Sequence, residues 1–254
     1  MFTLKEKVKR AITSSQVWRS IFRHGYSDTE RNRLLQTATN WVLHLHPAKV
    51  KAHGTRFRYV WCMGGITFFL FLVLTVTGIL LMFYYHPVPE HAYMDMKYLS
   101  FDIAFGKILR NIHRWGAHLM VVTVILHMLR VFLTGSYKPP REFNWVIGVS
   151  LLVATLLMSF TGYLLPWDQL AFWAITVGAN MAKATPFLGH EGPFPMVTKY
   201  NDVAFVLLGG TEVGANALLR FYVLHVMLIP VLMLVGMGVH FWRIRKDGGI
   251  SGPL

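Results

Sequence analysis

His113 and His127 stand fourteen residues apart inside NIHRWGAHLMVVTVILHMLR, an apolar run long enough to cross a bilayer. A side chain able to ionise or ligate needs a reason to be at that depth. Fourteen residues is close to four helical turns, so both imidazoles leave one helix face, about 21 Å apart along the axis. A later run, FYVLHVMLIPVLMLVGMGVHFW, carries His225 and His240 at a spacing of fifteen. Taken singly, a histidine on a bundle-facing helix more often hydrogen-bonds in a core than binds metal. Four in register on two facing helices make two bis-histidine cages. Neutral imidazoles on both faces of an iron porphyrin give a six-coordinate haem with no open position, which suits electron transfer and not oxygen chemistry. His118 lies off this register, has no counterpart, and is expected to be structural or hydrogen-bonded.

The elements that must position these rings are four spanning helices. The 254 residues are 54% hydrophobic, the sequence carries a formal charge of +13, and its mean hydropathy is positive. That balance fits a small all-α polytopic membrane protein, because in water it would leave large exposed apolar patches. One cysteine excludes an internal disulfide. The pattern predicts spans over roughly 57–85, 105–133, 145–164 and 217–242. Paired prolines in TGSYKPP end the second, and Pro230 predicts a kink in the fourth between its two histidines. Residues 166–215 are too polar and too rich in Gly and Pro to span, and read as short surface helices.

Glycines repeat the histidine interval. Gly64 and Gly78 are fourteen apart in the first span, as are Gly148 and Gly162 in the third. Glycine lowers helix propensity, so its recurrence needs either close helix packing or something flat lying against the backbone; with the histidines beside it, porphyrin rings at two depths are favoured. Arg110 and Arg114 flank His113, and Arg130 lies three residues beyond His127. Arginine near a membrane face usually snorkels; next to these histidines it also offers bidentate partners for haem propionates.

The charge is distributed unevenly. Residues 1–58 hold twelve Lys and Arg against three acids. Lys138 with Arg141, and Arg243, Arg245 and Lys246, fall on the same side of a four-span bundle. The segments 86–110 and 166–220 together hold six basic and seven acidic residues. This asymmetry predicts both termini on the negative side of the membrane and removes any need for nucleic acid as a partner. Residues 1–55 read as a basic, partly amphipathic segment lying on the lipid headgroups, with apolar stripes at Val17, Trp18, Ile21 and Phe22 and in WVLHLHPAKV. Residues 56–254 form the spanning domain. His44, His46 and His53 are expected to be solvated.

From about Thr55 onward the sequence resembles the cytochrome b6 family, the haem-carrying subunits of cytochrome b6f complexes, and the short b subunits of bacterial menaquinol reductases. The resemblance rests on CMGGIT (62–67), IHRW (112–115), KPPRE (138–142), GYLLPWDQ (162–169), RFY (220–222), the two histidine pairs and the ending ISGPL. It implies a four-helix membrane bundle holding two b-type haems, His113 and His225 at the positive face, His127 and His240 at the negative. It further implies haem contacts at Arg110, Arg114 and Arg130, and a basic quinone-pocket residue at Arg245. The implied function is a proton-translocating quinol:cytochrome c or plastocyanin oxidoreductase. Electrons from quinol at the positive face divide between an iron-sulfur protein and the two haems leading to quinone at the negative face.

The implied partners are a Rieske iron-sulfur protein, a c-type cytochrome and a separate membrane subunit carrying the PEWY segment, which this sequence lacks, in a complex expected to be dimeric. An energy-transducing membrane, bacterial cytoplasmic or equivalent, is implied as the location. Cys62 alone reads as a small buried hydrophobe and no CxxCH is present. In the b6 branch, however, the CxGGIT cysteine holds a covalent haem c through one thioether, which the resemblance implies here. A di-haem anchor for another respiratory oxidoreductase, and a haem-free transporter or assembly scaffold, are the competing classes. GYLLPWDQ and KPPRE argue against the anchor, and a reduced-minus-oxidised spectrum separates the scaffold.

Overall fold

The computed structural model describes residues 3–21, 29, 31, 52, 56 and 61–247. Among these the chain is all-helical. Four helical stretches are long and apolar enough to cross a membrane: Met63–Met82, Gly106–Leu133, Glu142–Leu164 and Ala215–Asp247. At most 22% of any of these windows is buried in protein. Side chains such as Leu72, Val76, Ile125, Leu129, Leu156, Val231 and Leu232 face outward, as expected of helices solvated by lipid rather than by water.

In chain order the helices are α1 (Leu4–Ser14), α2 (Gln16–Ile21), α3 (Met63–Met82), α4 (Pro89–Phe101), α5 (Gly106–Leu133), α6 (Glu142–Leu164), α7 (Gln169–Lys183), α8 (Val203–Leu208), α9 (Ala215–Val223) and α10 (Ile229–Asp247). The predicted spans agree within a few residues wherever they can be compared; residues 57–60, WVLHLHPAKV, His44, His46, His53 and ISGPL lie outside the described residues. Helix α4 is an addition that the sequence reading left out, although Pro89 in its first turn with Glu90 beside it is a start signal. The surface helices expected in 166–215 are α7 and α8. Each is started by an aspartate cap: Asp168 accepts from the Ala171 N–H at 2.9 Å, and Asp202 from the Phe205 N–H at 2.7 Å.

Helices α9 and α10 are joined by a π turn, Leu224–Leu228, where the sequence predicts a kink. Pro230 has no N–H to give the carbonyl four residues back, and its ring crowds that carbonyl; a wider turn relieves both problems. The turn also accounts for the spacing of fifteen. At about 100° per residue, fourteen residues return within about 40° of the starting face and fifteen overshoot by about 60°. A π turn takes up one extra residue, which is the difference between the two histidine spacings. The buried residues agree: Gly116, Met120, Val124 and Arg130 lie between and beyond the α5 histidines, and Ile229, Met233, Met237 and Arg243 accompany those of α10.

The chain divides into two compact units, residues 1–64, 124–153 and 233–254 in the first and 65–123 and 154–232 in the second. The second has an apolar, alanine-rich core of Leu164, Ala171, Ile175, Ala179, Ala204, Leu208, Ala217 and Phe221. The first is closed by buried charge. Arg243 is fully buried, pairs with Asp247 at 2.9 Å and donates to the Ser20 and Ile21 carbonyls at the end of α2. The Arg141 Nε donates to the Asp247 carbonyl at 3.3 Å. In α2, Val17 and Trp18 are exposed, while Ser20 is buried and its hydroxyl oxygen accepts from the Phe143 N–H at 3.0 Å. A further exposed apolar stripe falls at Leu4, Val8 and Ile12 of α1, whose start is fixed by a Thr3–Glu6 capping box.

Candidate haem sites

Each unit contains one imidazole pair. In the second unit the His113 and His225 ring centres lie 6.3 Å apart with their planes at 73°. In the first, His127 and His240 lie 6.4 Å apart at 82°. A metal ion held between two imidazoles by bonds of about 2 Å would put the ring centres roughly 6 Å apart. Both pairs have that separation. No group of three or more His, Cys, Asp or Glu side chains able to hold a metal occurs among the described residues. Two imidazoles at this distance therefore suit an iron whose remaining ligands come from a macrocycle.

The rings are oriented by the neighbouring helices. The Thr77 Oγ1 lies 2.9 Å from His113 Nδ1, and the Thr161 Oγ1 lies 3.1 Å from His225 Nδ1. Each hydroxyl proton is already directed to helix carbonyls, Val73 at 2.7 Å for Thr77 and Leu157 at 2.9 Å for Thr161. Each hydroxyl oxygen is thus left to accept from the ring. That geometry assigns the proton to Nδ1 and leaves the Nε2 lone pair for a metal.

The glycine repeat has a direct structural meaning. A Cβ built on Gly78 would meet His113 Cε1 at 3.2 Å, on Gly162 it would meet His225 Cε1 at 2.5 Å, on Gly64 His127 Cε1 at 3.2 Å, and on Gly148 His240 Cε1 at 3.7 Å. The flat group against each glycine is an imidazole. At His240 the contact is the poorest, its buried Nδ1 making no hydrogen bond of good geometry.

The other expected residues are distributed as follows. Arg110 is half-buried and donates to the Ser100 hydroxyl at 3.2 Å. Arg114 is exposed, Arg130 is buried at 4% exposure, and Arg245 is half-buried. Cys62 is a free, exposed thiol at the entry to α3, two residues before Gly64, with φ of 53° after Trp61 at 54°. His118 is exposed and packs edge-on against Trp115. The sequence reading missed Thr77 and Thr161 as ring partners.

Four helices long and apolar enough to cross a membrane, presenting two pairs of facing imidazoles, point to a class, the integral-membrane cytochromes. The comparisons with known proteins agree. Residues 49–248 match the family described as Cytochrome b/b6/petB. The chain is 43% identical over 193 residues to a cytochrome b6 of Heliomicrobium gestii, covering 76% of this chain and 85% of that one. It is 45% identical over 194 residues to a cytochrome b6 of Tupiella akineta, covering 76% and 85%. Among solved structures it is similar to a chain of a hyperthermophilic respiratory Complex III, with TM-score 0.65 and 26% identity, covering 87% of this chain and about half, 54%, of that one. The chain belongs to the cytochrome b/b6 family, and b-type haems are the cofactors that membership implies.

Proposed function

We propose that the chain carries electrons from quinol oxidation at the positive face of the membrane, through haems held at His113–His225 and then His127–His240, to a quinone site at the negative face. Within its family it is an electron-transfer subunit of a quinol oxidoreductase that works with other redox subunits. The observation that carries the reading is the pair of ring separations, 6.3 and 6.4 Å, with each glycine wall clearing an imidazole. A haem bound between neutral imidazoles supplies one-electron storage at an iron with no open position.

The chain's own residues do the rest. Thr77 and Thr161 hold the His113 and His225 rings and their Nδ1 protons. Gly64, Gly78, Gly148 and Gly162 admit the rings and the edges of the haems. Arg110, Arg114 and Arg130 supply positive charge for propionates, and Arg245 a cation for the quinone pocket. A Rieske protein, a c-type cytochrome and a membrane subunit with a PEWY segment complete the complex, which we take to be dimeric. Both termini lie on the negative side. Residues 1–55, led by the Leu4, Val8 and Ile12 stripe with Lys5, Lys7, Lys9 and Arg10 around it, rest on anionic lipid, and residues 56–254 form the spanning domain. Cys62, exposed and two residues from the glycine that faces His127, holds a third, covalent haem through one thioether.

The test is a set of reduced-minus-oxidised spectra on the purified complex, with haem-stained denaturing gels. His113→Ala and His225→Ala should each remove one and the same b-type component, and His127→Ala and His240→Ala the other. A 29.1 kDa band should stain in the wild type and go dark in Cys62→Ser. A wild-type complex without b-type bands overturns the haem reading, and a dark wild-type band overturns the covalent one alone.

A further inference from the structure

The two imidazole pairs differ in what sits before each glycine. In the second unit it is a threonine both times, Thr77 before Gly78 and Thr161 before Gly162. In the first it is Met63 before Gly64 and Ile147 before Gly148, neither of which has a hydroxyl. The hydroxyls therefore give His113 and His225 an acceptor at Nδ1, at 2.9 and 3.1 Å. Neither oxygen has a proton to spare. Thr77 Oγ1 shares its own between the Val73 and Leu74 carbonyls at 2.7 and 3.3 Å, and Thr161 Oγ1 between Leu157 and Met158 at 2.9 and 3.2 Å. An acceptor at Nδ1 draws the ring proton outward and makes the opposite nitrogen a stronger donor to its metal.

At the other pair the balance runs in the opposite direction. His240 Nδ1 is buried without a hydrogen bond of good geometry. Arg130, one helical turn from His127, is 4% exposed, whereas Arg110 is half-buried and Arg114 exposed. A more basic ligand favours the oxidised metal and a buried cation favours the reduced one, so both differences separate the two sites in the same sense.

We propose that Thr77 and Thr161 are positioning residues that hold the midpoint potential of the His113–His225 site below that of the His127–His240 site, so that an electron passes downhill from the first to the second. The inference rests on the haem reading of the two pairs. It assigns the direction of transfer to two hydroxyls that touch no cofactor, and it predicts that the effect can be moved. A hydroxyl installed at position 147 stands one residue before Gly148, the same register that Thr161 has to Gly162.

The experiment is an optical redox titration of the purified complex, resolving the two b-type components. The set is wild type, Thr77→Val, Thr161→Val, Thr77→Ser, Thr161→Ser and Ile147→Thr, each with haem content measured by pyridine haemochrome. The valine variants keep the threonine shape and should raise the midpoint of the lower component alone. The serine variants should return it towards the wild-type value. Ile147→Thr should lower the higher component alone. Full haem content with both midpoints unmoved in the valine variants overturns the proposal, as does an equal shift of both components. Should the valine variants fail to assemble, serine and Ile147→Thr decide it: an unmoved higher component in Ile147→Thr counts against it. A wild-type complex that gives no haemochrome refutes the haem reading instead, a different result from unmoved midpoints.

Discussion

Around His225 the wall closes to 2.5 Å from where a Gly162 Cβ would stand, whereas at His240 the matching distance from Gly148 is 3.7 Å. The supports of the two pairs differ as well. The helices that carry His225 and Gly162 lead into an apolar core in which Leu164, Ala171 and Ala217 have no exposed surface. The helix end beyond His240 is held by Arg243, Asp247 and Arg141, all buried. The same ligand arrangement is thus reached once by close packing of small residues and once by a charge cluster with more room at the ring. Close packing specifies a ring position and tolerates no added volume; a charge cluster tolerates volume and depends on every partner staying in place.

The largest effect should come from filling the tighter wall. Gly162→Ala forces a carbon into a space that a ring atom occupies, and the ring is held at Nδ1 by Thr161, so it has little freedom to retreat. We expect loss of the His113–His225 haem with the other retained. Gly148→Ala places its methyl at ordinary van der Waals contact and should leave both haems in place. Gly64→Ala and Gly78→Ala, each at 3.2 Å, should fall between. Haem per polypeptide across the four variants checks the order; equal loss at Gly148 and Gly162 would mean the clearances do not control binding.

The ligand register was legible in the sequence because a spanning helix imposes one period on everything it presents. Histidines at fourteen and fifteen, beside glycines at fourteen, favoured facing sites at two depths over core histidines and plain close packing. Pro230 announced an irregularity, but not that a π turn would convert fifteen into the equivalent of fourteen. Thr77 and Thr161 were invisible as ring partners because a threonine in a helix ordinarily bonds its own backbone, as these also do. Only the tertiary placement of the imidazoles reveals the second bond. Arg243 read as one more cation at a membrane face. Its complete burial depends on α2, whose residues 16–21 lie outside the family match and read only as part of a lipid-facing stripe.

That cluster gives the next effect in size. Removing one partner of a buried, hydrogen-bonded ion pair typically costs about 3–5 kcal/mol. In Arg243→Ala the α2 carbonyls of Ser20 and Ile21 lose their donor and Asp247 loses its counter-charge. The expected result is release of the N-terminal segment, seen as faster trypsin cleavage among residues 5–19 of the intact complex, with the His113–His225 haem unaffected. Arg243→Lys keeps the charge but cannot reach two carbonyls and a carboxylate together, so it should release the segment partly. Cleavage no faster than wild type in Arg243→Ala would show that other contacts hold α2.

The smallest effect belongs to the second unit and depends on pH. Burial alone would push the Asp202 carboxyl up, but the Phe205 N–H and the His190 ring bonded to it outweigh that and hold it below the usual carboxylate range. The carboxylate lies 2.5 Å from His190 Nδ1 and caps α8. A carboxyl whose folded pKa is depressed contributes stability that is fully present above its unfolded value, about 3.9, and is lost as pH falls through the lower folded value. Asp202→Asn keeps an acceptor for the Phe205 N–H and gives up only the charge on His190, while Asp202→Ala also gives up the cap, worth about 0.5–2 kcal/mol. Hydrogen exchange over residues 188–208 should therefore quicken slightly in the asparagine variant at neutral pH and more in the alanine variant. The difference between wild type and asparagine should shrink as the pH is taken below about 4, where the wild-type carboxylate is itself being protonated. If that difference is instead constant from neutral pH into acid, the carboxylate charge is not what secures this segment, and the alanine-rich core beneath it is sufficient.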